Sequence, residues 1–325
     1  MLHIGLIGAG FMGNTHAEVY KLLSLTEDVR LYGVCDLVPE KAKKAALPSS
    51  SVVFSTPEEL LACPDIHAVD ICLPTHLHCA YAKKAMQAGK HIFIEKPVVL
   101  TPEEGKELLE YKKIYGTKIM VGQCLRLWDE FVALKEIYQT GKYGALKRLK
   151  LNRLSATPDW SHENWYLDIE KSGGAILDLH IHDIDFMRFL LGEPARFKVN
   201  GNREYICGMF EYENGVSVQI ESGWGFPKSF PANAGYRADF EQAVVCYNGN
   251  GVNIYEHGGK RFTEHPSLRS DQNEHIAKKA AQYGGYYNEL KYFVQQINSG
   301  KEIEIATLRE GIQTVELIYK ELANV

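Results

Sequence analysis

No apolar run in this 325-residue chain is long enough to cross a bilayer. The longest, such as residues 243–247, extend over a few positions where about 20 are needed. There is no C-x-x-C pair. Seven cysteines (Cys35, Cys63, Cys72, Cys79, Cys124, Cys207 and Cys246) are odd in number, scattered, and mostly set in apolar runs. This excludes a disulfide framework or a zinc ribbon and predicts reduced thiols in the cytoplasm. Charge of neither sign dominates. Lys and Arg number 36 against 41 Asp and Glu, a formal net charge of -5, so nothing draws the chain as a whole to nucleic acid or an anionic membrane. Repeats, low-complexity tracts and His-Glu-x-x-His are missing too, and no metal is expected. Residues 4–13 are apolar but have no Lys or Arg ahead of them and no clear cleavage site after them. A secretory signal is therefore not expected.

What is present is ordinary globular composition, 45% hydrophobic and 24% charged, at a length that suits two domains. Up to residue 122, short apolar runs alternate with helical patterns. Strands are predicted at 3–7, 31–35, 52–54, 68–73, 91–94 and 118–121. Thr56-Pro57-Glu58-Glu59 and Thr101-Pro102-Glu103-Glu104 each combine a cap, a first-turn proline and a capping-box acid. A further helix opens at Thr75 and stops at Gly89. Strands alternating with helices predict a doubly wound parallel sheet.

Beyond Gly122 the pattern changes. A helix is predicted over 128–140, a strand over 146–154, an aromatic and polar loop over 157–165, and a helix over 175–191 closed by Gly192. Several strands follow over 195–262, with turns at Glu213-Asn214-Gly215 and at 248–251, and then two helices over 286–323 split by Gly300. The prediction is an α/β chain: a doubly wound parallel sheet over 1–122 and, over 123–325, an antiparallel-leaning α+β domain.

Three segments carry chemistry. Gly8-Ala9-Gly10-Phe11-Met12-Gly13 is a G-x-G-x-x-G between a strand and a helix, where glycines permit the tight turn, close backbone approach to a pyrophosphate and helix–strand packing. Asp36, ending the second strand, is placed to accept from ribose hydroxyls and to repel a 2′-phosphate. Leu37, not Arg, follows it, which favours NAD over NADP. The alternative is an ordinary glycine turn with an unrelated acid.

The second segment is His91-Ile92-Phe93-Ile94-Glu95-Lys96-Pro97. It puts Lys96 at the carboxyl end of the fifth strand, where such sheets bind ligands, with Pro97 biasing it to extended geometry. A solvated lysine is the alternative.

In the third, residues 173–185, a helix brings Asp178 and His182 together as i and i+4. The carboxylate can then orient the imidazole as a general base. Helical geometry turns His180 away from His182, so the His-x-His spelling makes no metal pair there. A buried polar pair that merely fixes the helix is the alternative.

GLIGAGFMG from Gly5, CLPTHLH from Cys72, GKHIFIEKP from Gly89, GGAILDLHIHDID from Gly173 and YYNELKYFVQQINSGK from Tyr286, in this order and spacing, resemble the glucose–fructose oxidoreductase and inositol dehydrogenase (Gfo/Idh/MocA) family. The resemblance implies NAD(P)-dependent oxidation or reduction of a hydroxyl-bearing carbon on a sugar, cyclitol or related polyol. It also implies an N-terminal Rossmann domain, a C-terminal substrate domain with a large, mainly antiparallel open sheet, and a homodimer or homotetramer built through that sheet. Lys96, Asp178 and His182 match the family's catalytic lysine and acid–base pair. Gly8, Gly10, Phe11, Met12, Gly13, Asp36, Pro74, Thr75, His78 and Glu95 fall on cofactor segments, and Arg126 matches a frequent site arginine.

The loop at 159–166 departs from the general pattern. Trp160 and Trp165 are placed to stack on a sugar or to pack an interface, and Tyr286 is a further candidate for substrate contact. Three rival readings share this pattern: an NAD-recycling glycosidase, a reductase of an imine, tetrapyrrole or dihydrodiol, and a non-catalytic NAD-binding regulator.

Overall fold

Six short, β-branched, mostly apolar runs build the first sheet. They are β1 (Leu2–Ile7), β2 (Val29–Cys35), β3 (Val52–Val53), β4 (Ala68–Ile71), β5 (His91–Glu95) and β6 (Ile119–Gly122). The computed structural model, which describes residues 1–159, 161–266 and 274–325, pairs them all in parallel in the order β3-β2-β1-β4-β5-β6. The central strand β4 and the edge strand β6 are both buried at every position, as expected where helices cover both faces. Asp70 is the one charged residue inside β4 and is fully buried.

The helices of this sheet are α1 (Phe11–Leu23), α2 (Pro39–Ala46), α3 (Pro57–Ala62), α4 (His78–Gln87) and α5 (Pro102–Tyr115). The two predicted N-terminal signals are realised. Thr56 Oγ1 accepts from the Glu59 amide at 3.1 Å, and Thr101 accepts from Glu104 at 3.2 Å while Glu104 reaches back to the Thr101 amide. The stretch opened by Thr75 begins with a 3-10 turn over Thr75–Leu77 before α4.

The second sheet has eight strands, in the order β14-β13-β12-β11-β7-β10-β9-β8. They are β7 (Leu146–Ala156), β8 (Arg196–Gly201), β9 (Tyr205–Glu211), β10 (Ser217–Phe226), β11 (Asn233–Phe240), β12 (Ala243–Tyr247), β13 (Val252–Glu256) and β14 (Arg261–Glu264). Every neighbouring pair is antiparallel except β7 with β10. Both predicted turns connect strands here, with Gly215, Gly249 and Gly251 at positive φ.

The remaining helices are α6 (Asp129–Thr140), α7 (Ile169–Ser172), α8 (Ile181–Leu191), α9 (Glu274–Ala280), α10 (Gly285–Asn298) and α11 (Leu308–Leu322). Residues 175–191, expected as one α-helix, divide in two. A π-helical turn covers Ile176–His180, with the Ile181 amide bonded to the Ile176 carbonyl, and regular α8 follows.

The chain forms two compact units. One combines residues 1–124 with 271–312, and the other combines 125–270 with 313–325. In the first, α10 packs on α1, β1, β5 and β6, with Phe293 edge-on to Phe93 at 5.7 Å. In the second, α8 and the π turn lie on β7 and β10.

Candidate active site

In the first unit, the turn after β1 admits only glycine at two positions. Gly8 has φ +96°, and a Cβ there would stand 2.4 Å from the Cys72 carbonyl oxygen. A Cβ on Gly13 would stand 2.0 Å from the Gly8 carbonyl oxygen. Gly10 differs: a Cβ there would meet nothing within 4 Å. The backbone at Gly10 therefore faces open space at the start of α1, and no side chain caps that end. Uncapped amides, the helix dipole and a glycine-lined approach make an anion cradle.

Asp36 is tied to this cradle. One carboxylate oxygen accepts from the Ala9 amide at 2.7 Å and the other from the Val38 amide at 2.8 Å. Each oxygen keeps further acceptor capacity for hydroxyls. Phe11 is well exposed beside it, and Met12 is half-buried. The donor set and the open glycine fit the pyrophosphate and ribose of a dinucleotide.

His78 braces the ends of β4 and β5. Its Nδ1 lies 2.7 Å from the Pro97 carbonyl oxygen and its Nε2 lies 2.7 Å from that of Leu73. Burial holds its pKa below the usual histidine value against the pull of those two carbonyls, so the neutral ring donates to one of them at a time. Thr75 is buried next to this brace and Pro74 is half-buried. Lys96 is half-buried at the end of β5, and the Lys96–Pro97 peptide is cis. The Lys96 amide donates to Glu95 Oε2 at 3.1 Å.

Sequence reasoning did not find what lies behind Glu95. His16 on α1 is fully buried, with Nδ1 2.9 Å from Asp70 Oδ2 and Nε2 3.3 Å from Glu95 Oε1. Cys72 Sγ lies 3.3 Å from both His16 Nδ1 and Asp70 Oδ1. Glu289, on α10, brings a fully buried carboxyl group to the same place. One ligand-type atom each from His16, Glu95 and Glu289 lies within 4.8 Å of the others, and the same holds for His16, Asp70 and Cys72. Burial alone depresses the His16 pKa, but Cys72 and Asp70 outweigh it and hold the ring well above the usual histidine value. Burial and the neighbouring Glu95 charge hold Glu289 well above the carboxylate range.

The residues left a trace in the sequence. Asp70 interrupts an apolar strand, His16 shares a helical stripe with Val19, Tyr20 and Leu23, and Glu289 shares one with Leu290 and Phe293.

In the second unit, the π turn and α8 present a graded surface. Between residues 175 and 188, only Asp178, Leu179 and His182 are half-buried, and the rest are buried. His180 points elsewhere, with Nδ1 3.1 Å from Ser222 Oγ and Nε2 2.9 Å from Glu321 Oε2. The helix is anchored by ion pairs. Arg126 donates from Nε and Nη2 to Asp185 at 2.7 and 2.8 Å, both side chains being about 1% exposed, and Thr314 Oγ1 also donates to Asp185. Arg153 donates to Asp183 at 3.0 and 3.2 Å.

Trp165 stacks on Tyr166 with ring centroids 4.0 Å apart, and Tyr166 meets the buried Trp224 edge-on. In the loop that carries Trp165, Glu163 and Asn164 both adopt left-handed backbone. Trp160 lies outside the described residues. Tyr286, half-buried on α10, tilts against His16 in the first unit at 6.4 Å.

A parallel sheet with a glycine cradle at the carboxyl end of β1 and an acid ending β2 defines a dinucleotide-binding unit, here joined to an open mixed sheet. Residues 2–123 match the family model described as "Oxidoreductase family, NAD-binding Rossmann fold", and residues 131–240 match the GFO/IDH/MocA C-terminal domain. The chain belongs to this NAD-binding oxidoreductase family. It is 30% identical over 316 residues to inositol 2-dehydrogenase of Rhizobium meliloti (strain 1021), covering 93% of this chain and 90% of that protein. Two solved structures share the fold. One is levoglucosan dehydrogenase in complex with NADH and levoglucosan, with TM-score 0.83, 22% identity, and 99% and 97% of the two chains covered. The other is an NAD-binding oxidoreductase from Klebsiella pneumoniae, with TM-score 0.84, 20% identity, and 99% and 96% covered. Among the described residues, no helix is long and apolar enough to cross a membrane.

Proposed function

We propose that the protein is an NAD-dependent dehydrogenase acting on a hydroxyl-bearing carbon of a sugar, cyclitol or related polyol. The observation that carries this reading is the cradle formed by the open Gly10 and the pinned Asp36, in a chain whose relatives include an inositol 2-dehydrogenase and a levoglucosan dehydrogenase. Gly8, Gly10, Phe11, Met12 and Gly13 hold the pyrophosphate, Asp36 holds the adenosine ribose, and Pro74, Thr75, His78 and Glu95 shape the nicotinamide end. Bound NAD supplies the hydride acceptor.

The residues of the chain handle the proton. His182, oriented by Asp178, takes it from the substrate hydroxyl. The Lys96 ammonium stabilises the alkoxide as it forms and relays the proton onward. The half-buried setting of Asp178 and His182 on an otherwise buried segment supports this assignment, as does a π turn, a feature often found at functional sites. Trp160, Trp165 and Tyr286 are assigned to substrate contact. Arg126, matched to a site arginine, acts on this reading through Asp185 and the start of α8.

We assign cofactor work to residues 1–122 and substrate and assembly to residues 123–325, with a homodimer or homotetramer formed through the second sheet. A cytoplasmic location accords with seven free cysteines.

Absorbance at the NADH band tests the reading, using NAD with myo-inositol, other inositols, levoglucosan, aldoses and sugar acids. NADH growth with one of them is expected. NADH binding with no growth across the panel would overturn it in favour of a recycling glycosidase or a reductase. Lys96→Met is expected to keep NADH affinity and lose most turnover, and normal turnover in that variant would remove Lys96 from the mechanism.

A further inference from the structure

Buried polar atoms without hydrogen-bond partners are costly, and among the described residues four of them converge behind the Lys96 peptide. They are His16 Nε2, Glu95 Oε1 and both carboxyl oxygens of Glu289. We propose that Glu289 is a positioning residue for Lys96: it stays a neutral acid and shares its proton with Glu95, whose carboxyl group then holds the Lys96 amide. The proposal deepens the reading of Lys96 given above and rests on it.

The argument is an accounting of protons. Asp70 only accepts, so His16 Nδ1 donates to it across 2.9 Å. The opposite nitrogen faces Glu95 Oε1 at 3.3 Å, and carboxylates at both ends of the ring favour the doubly protonated imidazolium. Among the described residues, neither oxygen of Glu289 has a hydrogen-bond donor. It faces Glu95 from β5, His16 and Tyr20 from α1, and Asp70 from β4, with Cys72 beyond His16. Three carboxylates around one imidazolium leave excess negative charge in a site closed to bulk solvent, since His16, Asp70 and Glu289 are all 0% exposed. One proton on Glu289 removes a charge and turns an orphan acceptor into a donor, and a carboxylate oxygen of Glu95 lies within 4.8 Å. The other oxygen of Glu95 already holds the Lys96 amide at 3.1 Å. The register of the lysine is thus linked to α10 through a proton. A cation held by the same atoms is the rival arrangement.

The test uses the intact protein and needs no substrate. Infrared spectra of wild type at neutral pH are expected to show the C=O band of a protonated, buried carboxyl group, shifted in heavy water and missing from Glu289→Gln. Hydrogen exchange of the peptide containing Lys96 is expected to rise about tenfold in Glu289→Leu, the loss of one hydrogen bond. Glu289→Gln is expected to restore it, because an amide donates to Glu95 as the acid does. Thermal melting identifies a Leu variant that fails to fold, and in that case the band and the Gln variant's exchange decide. No band, or exchange in the Gln variant raised by about the same tenfold as expected for Leu, would overturn the proposal. So would one equivalent of a divalent ion in purified wild type that Glu289→Gln loses. A Lys96→Met variant with normal turnover would sink the catalytic reading while leaving the band and the exchange pattern intact, so the two failures are distinguishable.

Discussion

Replacing Gly10 with alanine separates binding from folding. The residue sits at φ -71° and ψ -154°, an extended conformation that alanine adopts, and the new methyl would meet no protein atom within 4 Å. Alanine is a poorer N-cap than glycine, so we expect a stability loss of at most about 1 kcal/mol. For a unit of this size that lowers the melting temperature by ~2–4 °C. The methyl would occupy the approach to the cradle. Displacing one charge-assisted hydrogen bond to the pyrophosphate costs about 1.5–3 kcal/mol. NADH Kd should therefore rise roughly 10- to 150-fold, at 1.4 kcal/mol per tenfold.

Gly13→Ala should do the reverse. Its methyl would lie 2.0 Å from the Gly8 carbonyl oxygen, so the backbone must move. Overpacking of this kind costs ~1–3 kcal/mol or more and appears first in the melting curve. Fluorescence titration with NADH, paired with thermal melts, reads both. An unchanged NADH Kd in a folded Gly10→Ala protein would refute docking of the pyrophosphate at this turn.

Three further outcomes can be checked. Asp36→Ala should weaken NAD and narrow the preference over NADP, measured as the ratio of the two Kd values; an unchanged ratio would free Asp36 from ribose recognition. Asp185→Ala takes the carboxylate partner from the buried Arg126 guanidinium and should cost about 3–5 kcal/mol by denaturant unfolding; a loss under 1 kcal/mol would contradict a buried pair. His16 and Glu289 both have folded pKa values raised above their ordinary ones, so the folded chain binds more protons than the unfolded chain between the two values. Their stabilisation is full below the unfolded values and is lost as pH rises through the folded ones, starting above about 4.5 for Glu289 and 6.5 for His16. Melting temperature should fall from pH 6.5 upwards, less steeply in Glu289→Gln; an equal slope in both would count against a titrating Glu289.

Where the determinants are local, the sequence was readable. Thr101 with Glu104, the glycines around Gly10 and the turn at Gly215 act within a few residues and appear as expected. Interactions between distant residues were not. The surroundings of Glu95 depend on His16 and on Glu289, which is 194 positions further on, and nothing in either stretch names the other. The π turn at Ile176–His180 was hidden for a different reason. Its apolar spacing suits a helix, and the wider winding depends on contacts such as the Ile176 amide bonding to the Arg203 carbonyl. Arg126 became a candidate through the family resemblance, and its buried pairing with Asp185 was not legible because the two become neighbours only in the fold.

The first unit is assembled from two stretches of chain, and this bears on how the protein is made. Residues 1–124 leave the ribosome with Phe93 lacking the helix that packs on it. That helix, α10, is synthesised only after residues 125–270 have emerged, and so is Ala306, whose carbonyl bonds the Val121 amide on β6. The nucleotide-binding half is thus begun before residues 125–270 are made and completed only after them. Until α10 arrives, the nascent chain exposes apolar surface around Phe93, of the kind chaperones guard.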